Sequence, residues 1–170
     1  MYHENAHGRV ACFDPASGRE IWAIDGLKEF GAANITWGMS ECLLVDARTV
    51  FVAAGGRKTL AVALNKTNGV VLWKSDPLYD LAGEKTLENA SYVSPILVQF
   101  GGRRLLPGAS LRHLDCVDAD TGARQWTQPV RTAYSVLAMV PALVGNGVFM
   151  TAPGGPGGRL WDLKEAGVRR

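Results

Sequence analysis

Three stretches of this chain share one layout. Residues 14–22 (DPASGREIW), 65–73 (NKTNGVVLW) and 118–126 (DADTGARQW) each carry Asp or Asn four residues before a Gly and Trp four residues after it. Ser, Asn or Thr stands directly before the Gly. Aligned on Gly18, Gly69 and Gly122, the copies recur at intervals of roughly 50 residues, a period that marks an array of small structural units. The chemistry of the pattern is that of a tight turn. Asp14, Asn65 and Asp118 have side chains able to accept hydrogen bonds from the turn amides, and Ser or Thr do so more weakly. Gly takes the positive φ that would strain any side chain. Trp22, Trp73 and Trp126 then fall on the outgoing strand, where a large ring can bury against a neighbouring unit. Each indole N–H still needs an acceptor, which a turn carbonyl can supply.

A second feature repeats in phase. Residues 41–56 (ECLLVDARTVFVAAGG), 95–109 (PILVQFGGRRLLPGA) and 141–155 (PALVGNGVFMTAPGG) each give an apolar run, a polar or Gly turn, and another apolar run. These predict β-hairpins. A third strand follows (RVACFD, TLAVALN, HLDCVDA), then the Gly turn and the Trp strand. One unit is therefore four short strands with no helix between them, which is the mark of a β-propeller blade. The predicted fold is all-β: a partial β-propeller of four-stranded antiparallel blades in one domain, 1–170, with blade parts at about 1–39, 40–93, 94–139 and 140–170.

Apolar content of 47% and charge of 20% describe a chain that folds around a core. A net charge of +2, with the basic residues scattered, gives no footprint for nucleic acid. No apolar run is long enough to span a membrane. The opening residues, MYHENAHGRV, have neither the charged nor the apolar region of a signal peptide. Cys12 and Cys116 occupy equivalent places in the first and third units, too far apart for a disulfide. With Cys42 they read as small buried hydrophobes.

These segments resemble the tryptophan-docking repeats of the pyrroloquinoline quinone (PQQ)-type propellers. That family holds both quinoprotein alcohol dehydrogenases and a non-catalytic outer-membrane assembly factor. The resemblance covers nearly the whole chain and speaks for the fold more than for an activity. It implies a periplasmic or otherwise extracytoplasmic location, and a ring closed by seven or eight blades. Residues 9–14 read as the third strand of a blade. Asp162 and Gly167 read as a fourth copy of the turn, with one inserted residue and its Trp position beyond Arg170. The chain is thus expected to be a fragment whose partners include the remaining blades of its own ring.

Ligands on a propeller are expected at the loops that join one blade's outer strand to the next blade's inner strand, here 26–40, 77–94 and 129–140. Their candidate partner- or ligand-binding residues are Trp37, Glu41, Tyr92, Ser94, Arg131 and Tyr134. No residue is assigned as catalytic and none as a metal ligand. The reading is a non-catalytic scaffold that binds other proteins or envelope components, with no cofactor in this stretch. The alternative is part of a quinoprotein alcohol dehydrogenase using PQQ and calcium. By resemblance that enzyme would need a catalytic Asp, a calcium set of Glu, Asn and Asp, and often a vicinal Cys pair. Glu41, Asn34 and Asp80 have suitable chemistry, but no spacing selects them. The GGRKT run at residues 55–59 lacks the earlier Gly and the following helix of a phosphate loop. Ser110, His113 and Asp115 read as surface polar residues whose strand alternation keeps them from converging.

Overall fold

The computed structural model describes residues 1–79, 88–132, 136–152 and 157–163. Among them, four antiparallel sheets follow one another along the chain. The first is β1 (Tyr2–Glu4), β2 (Arg9–Phe13) and β3 (Glu20–Asp25), followed by a short helix α1 (Gly26–Phe30). The second is β4 (Leu44–Val45), β5 (Thr49–Val52), β6 (Val62–Asn65) and β7 (Val71–Lys74). The third is β8 (Val98–Phe100), β9 (Arg103–Ala109), β10 (His113–Asp118) and β11 (Arg124–Pro129). The fourth is β12 (Ala142–Val144), β13 (Gly147–Met150) and β14 (Arg159–Asp162). Every sheet is a plain meander in sequence order.

Three local features differ from the sequence reading. The opening residues form a strand, β1, with Tyr2 opposite Cys12 and Glu4 opposite Val10, so the first sheet begins before residue 9. Helix α1 intervenes after β3: Asp25 Oδ1 accepts from Lys28 N at 3.1 Å, and Gly31 closes it at φ 65°. Cys42 is exposed, whereas Cys12 and Cys116 are buried as expected.

The sheets stack face on face, and the core lies between them. Val10, Cys12 and Trp22 of the first sheet pack on Val50, Val52, Val62 and Leu64 of the second. The opposite face of the second sheet carries Phe51, Ala63 and Trp73 against Leu106, Val117 and Ala119 of the third. Leu105, Cys116 and Trp126 on the far side of the third meet Val148 and Leu163 of the fourth. Alternation along each strand feeds both faces, so a middle sheet such as β4–β7 is apolar on both sides.

The turn chemistry is the same in all three copies. Asp14 accepts from Ala16 N (3.0 Å) and Ser17 Oγ (2.7 Å). Asn65 accepts from Thr67 N (2.9 Å) and its hydroxyl (2.6 Å). Asp118 accepts from Asp120 N, Thr121 N and the Thr121 hydroxyl. Gly18, Gly69 and Gly122 hold φ of 70°, 73° and 76°. In each sheet a β-bulge follows directly. The pairing runs Cys12↔Trp22 then Phe13↔Glu20, Ala63↔Trp73 then Leu64↔Val71, and Cys116↔Trp126 then Val117↔Arg124. The extra residue (Ile21, Leu72 or Gln125) re-aims the Trp toward the next sheet.

Two of the rings reach forward. Trp22 Nε1 donates to Lys66 O at 2.9 Å, and Trp73 Nε1 to Ala119 O at 3.0 Å. Both acceptors follow the Asn or Asp of the next turn by one residue. The rings lie over that turn's Gly, so closely that a Cβ on Gly69 would stand 2.8 Å from Trp22 and one on Gly122 2.5 Å from Trp73. Trp126 packs toward the fourth sheet. Its Nε1 is buried with no acceptor among the described residues. Gly167 lies outside the described residues.

Candidate functional site

In a meander of this kind, the loops between sheets gather at the same end as the β5–β6 and β9–β10 turns. Hydrogen bonds seat them there. Arg57 N and Lys58 N donate to Gly31 O and Phe30 O, and Leu111 N donates to Asn89 O. Gly55, at φ 56°, makes the close approach possible, since a Cβ there would lie 1.8 Å from Ala90 N.

The first loop is tied down over the β1–β2 turn. Asn34 Nδ2 and Met39 N both donate to Ala6 O. Trp37 protrudes from it, 69% exposed. Its ring meets Tyr92 of the second loop at 5.6 Å between centroids, tilted by 52°. Trp37 N also donates to the Tyr92 hydroxyl at 3.4 Å. Tyr92 is half-buried among Ile35, Met39, Ala90 and Leu111. Two residues on, Ser94 Oγ accepts from Cys42 N at 2.8 Å. Four of the residues singled out in the sequence (Trp37, Glu41, Tyr92 and Ser94) therefore lie in one connected patch. Arg131 is exposed just past β11. Tyr134 and Asp80 lie outside the described residues.

Glu41 is buried beneath this patch. Its Oε1 accepts from Ala53 N at 2.7 Å, and its neighbour is the carboxyl of Glu4. Burial, then the charge of Glu4, raise the Glu41 carboxyl well above its ordinary 4.5. Asn34 Oδ1 accepts from Ile35 N, so it faces its own backbone. Glu41 and Asn34 thus do not present converging oxygens of the kind calcium takes. No group of three or more His, Cys, Asp or Glu among the described residues is arranged to hold a metal.

A polar nest lies at the same end of the third sheet. Ser110, His113 and Asp115 are buried, contrary to the surface placement read from the sequence, and Glu88 is buried beside them. His113 and Asp115 are two residues apart and so share a face of β10, together with the buried Val117. That alternation was the available signal. Glu88 Oε1 takes Arg112 Nε at 2.6 Å, and Oε2 takes Arg112 N at 3.0 Å. His113 Nδ1 is 3.4 Å from the same carboxylate. Burial works to raise Glu88, but the neighbouring His113 and Ser110 side chains and the Arg112 charge outweigh it and hold it below the usual value. Burial pushes Asp115 up to about 7, against the nearby charges of Arg124 and His113. Asp115 borders a small apolar cavity with Val52, Leu60, Ala61 and Leu106. The bonds of the nest tie the loop before β8 to the start of β10. Glu4 and Glu88 carried no motif in the sequence; only the fold brings them to their partners.

A family model described as outer membrane protein assembly factor BamB matches residues 6–164. The BamB structure from Moraxella catarrhalis is similar at 23% identity and a TM-score of 0.66, over 91% of this chain and 43% of that one. A quinohemoprotein alcohol dehydrogenase from Comamonas testosteroni aligns at 20% identity and a TM-score of 0.51, over 76% of this chain and 19% of the enzyme. A computationally designed protein, Ika4, aligns at 13% identity and a TM-score of 0.54, covering 95% of this chain and 83% of its own. No curated protein matches the sequence. The chain spans less than half of the BamB structure, and at these identities the likeness to solved structures establishes the propeller fold alone. With the family model running through all four sheets, the chain belongs to the PQQ-like repeat family described as outer membrane protein assembly factor BamB.

Proposed function

We propose that the chain is a non-catalytic scaffold of the bacterial cell envelope, part of a propeller that binds another protein through its loop end. The observation that carries this is Trp37: a Trp 69% exposed, yet anchored by its loop's bonds to Ala6 and by ring contact with Tyr92. Large exposed aromatics held rigid are the typical anchors of protein interfaces. The family's assembly-factor description supports a periplasmic setting, and among the described residues no helix is long and apolar enough to cross a membrane. Trp22 and Trp73, each bonded to the following turn, act in this reading as docking residues, and further blades of the same ring are the chain's structural partners. The chain by itself binds neither PQQ nor calcium tightly.

Site-specific photocrosslinking tests the scaffold. A crosslinker at position 37, introduced in envelope-localised protein, should give one discrete protein adduct, lost on Tyr92→Ala. The same probe at exposed Val45, at the opposite end of the sheets, should give none. Equal adducts at both positions would refute the reading. Titration of the purified chain with PQQ and calcium should show no saturable binding, and saturation at micromolar concentration would favour the dehydrogenase.

A further inference from the structure

Glu4 ends β1 in the first sheet, and Glu41 leads into β4 of the second. Their carboxyls meet where the two sheets join. One Glu41 oxygen is occupied by the Ala53 amide. Oε2 of Glu4 and Oε2 of Glu41 are both buried with no hydrogen-bond partner. Among the described residues no cation bears on either group: Glu41 feels Glu4 and the Cys42 thiol, and Glu4 feels Glu41. Two adjoining carboxylates without a counter-charge do not both stay ionised out of water, and they titrate as a pair. A single proton between them converts repulsion into a hydrogen bond and satisfies both orphaned oxygens at once.

We propose that Glu4 and Glu41 share one proton at neutral pH, that this O–H···O bond latches the first sheet to the second, and that the latch opens when the proton leaves. Burial pushes Glu4 up to about 7, although the adjoining Glu41 carboxyl works the other way. The sign follows from the raised values. The stabilisation is full below the ordinary value of 4.5 and is lost as pH rises through about 7. Opening would act on the loop above, because Glu41 adjoins Cys42, whose amide holds Ser94, and the loop bearing Trp37 rests on Ala6 just past Glu4. The proposal stands apart from the scaffold reading, since it concerns the joint and not its partner.

Asp115 titrates in the same range, so the experiment uses the Asp115→Asn chain as its reference. Thermal unfolding is followed at low protein concentration from about pH 5 to about pH 8, a window that brackets the transition. The reference should lose several degrees of melting temperature across it. Adding Glu41→Gln should flatten the profile, because an amide donates to the Glu4 carboxylate with no proton to lose. Glu4→Gln should do likewise. An infrared band of a protonated carboxyl, assigned by isotopic labelling of Glu, should persist at pH values where ordinary glutamates are ionised and vanish on passing about pH 7. That band is read on the unsubstituted chain, so the proposal is tested even if a variant fails to fold. An unchanged pH profile in both variants, or no such band above the ordinary glutamate range, overturns it. So does calcium that restores the alkaline melting temperature of the reference but not of the variants, which would put a cation where the proton is proposed.

Discussion

Gly18, Gly69 and Gly122 look identical in the sequence, and their φ values are nearly so, yet their surroundings differ. A Cβ on Gly18 meets nothing within 4 Å, whereas on Gly122 it would stand 2.5 Å from the Trp73 ring. Gly18→Ala should cost only the left-handed backbone strain, about 1 kcal/mol. Gly122→Ala adds displacement of the ring and should cost roughly 2–4 kcal/mol, in the range of overpacked cores. Denaturant unfolding of the two variants measures the difference, and equal losses would mean that the ring does not rest on that turn. At this scale the sequence was most legible where an interaction is local. The bonds of Asp14 to Ala16 and Ser17 follow from residue type and spacing. Glu4 against Glu41, and Glu88 against His113, are long-range meetings of residues with no shared pattern, so nothing along the chain announces them.

Among the elements, the strands were readable because β-branched and aromatic residues alternate over short runs bounded by Gly and Asn. Helix α1 was not, although its signals are present in Asp25 and Gly31. Five residues are too few to show a helical period. The bulges opposite Cys12, Ala63 and Cys116 were also hidden, since an inserted residue is visible only once two strands are paired. The second and third sheets are the joint in which these features act together. Trp73 bonds Ala119 O and lies 6.0 Å from Phe51, and Arg104 of β9 pairs with Asp46 of the second sheet and Asp120 of the third. Trp73→Ala should destabilise the chain by roughly 3–5 kcal/mol, as large aromatic truncations in cores do. Denaturant melts check this, and hydrogen exchange should show the loss first in β7 and β10. Unchanged stability would remove the ring from the account of how sheets are joined.

For the molecule as a whole, the in-phase repeat was enough to specify the stack of sheets, because each sheet must bury both faces. It could not specify what binds at the loop end, since Trp37 comes from one loop and Tyr92 and Ser94 from the next, and they become a patch only through the stacking. The stack also leaves apolar side chains uncovered: Val144, Phe149 and Leu160, which share one face of the fourth sheet, are all more than a third exposed. Contiguous apolar surface of this kind drives association. Light scattering of the 170-residue chain should rise with concentration beyond the monomer value. Phe149→Lys with Leu160→Lys should suppress the rise. A monomer at all concentrations would show that this face is not sticky.

The forward reach of the rings sets an order in time. Trp22 is synthesised 44 residues before the carbonyl that receives its N–H, and Trp73 46 residues before its own. At about 5–20 residues per second, each ring leaves the ribosome roughly 2–9 s ahead of its acceptor. A newly made sheet therefore waits with its Trp uncovered until the next turn emerges, and each arriving turn closes the joint behind it. Pausing translation inside a unit would lengthen that wait for a single ring, leaving the earlier joints closed. Synonymous codon changes between residues 26 and 64 would then alter folding yield without altering one atom of the product.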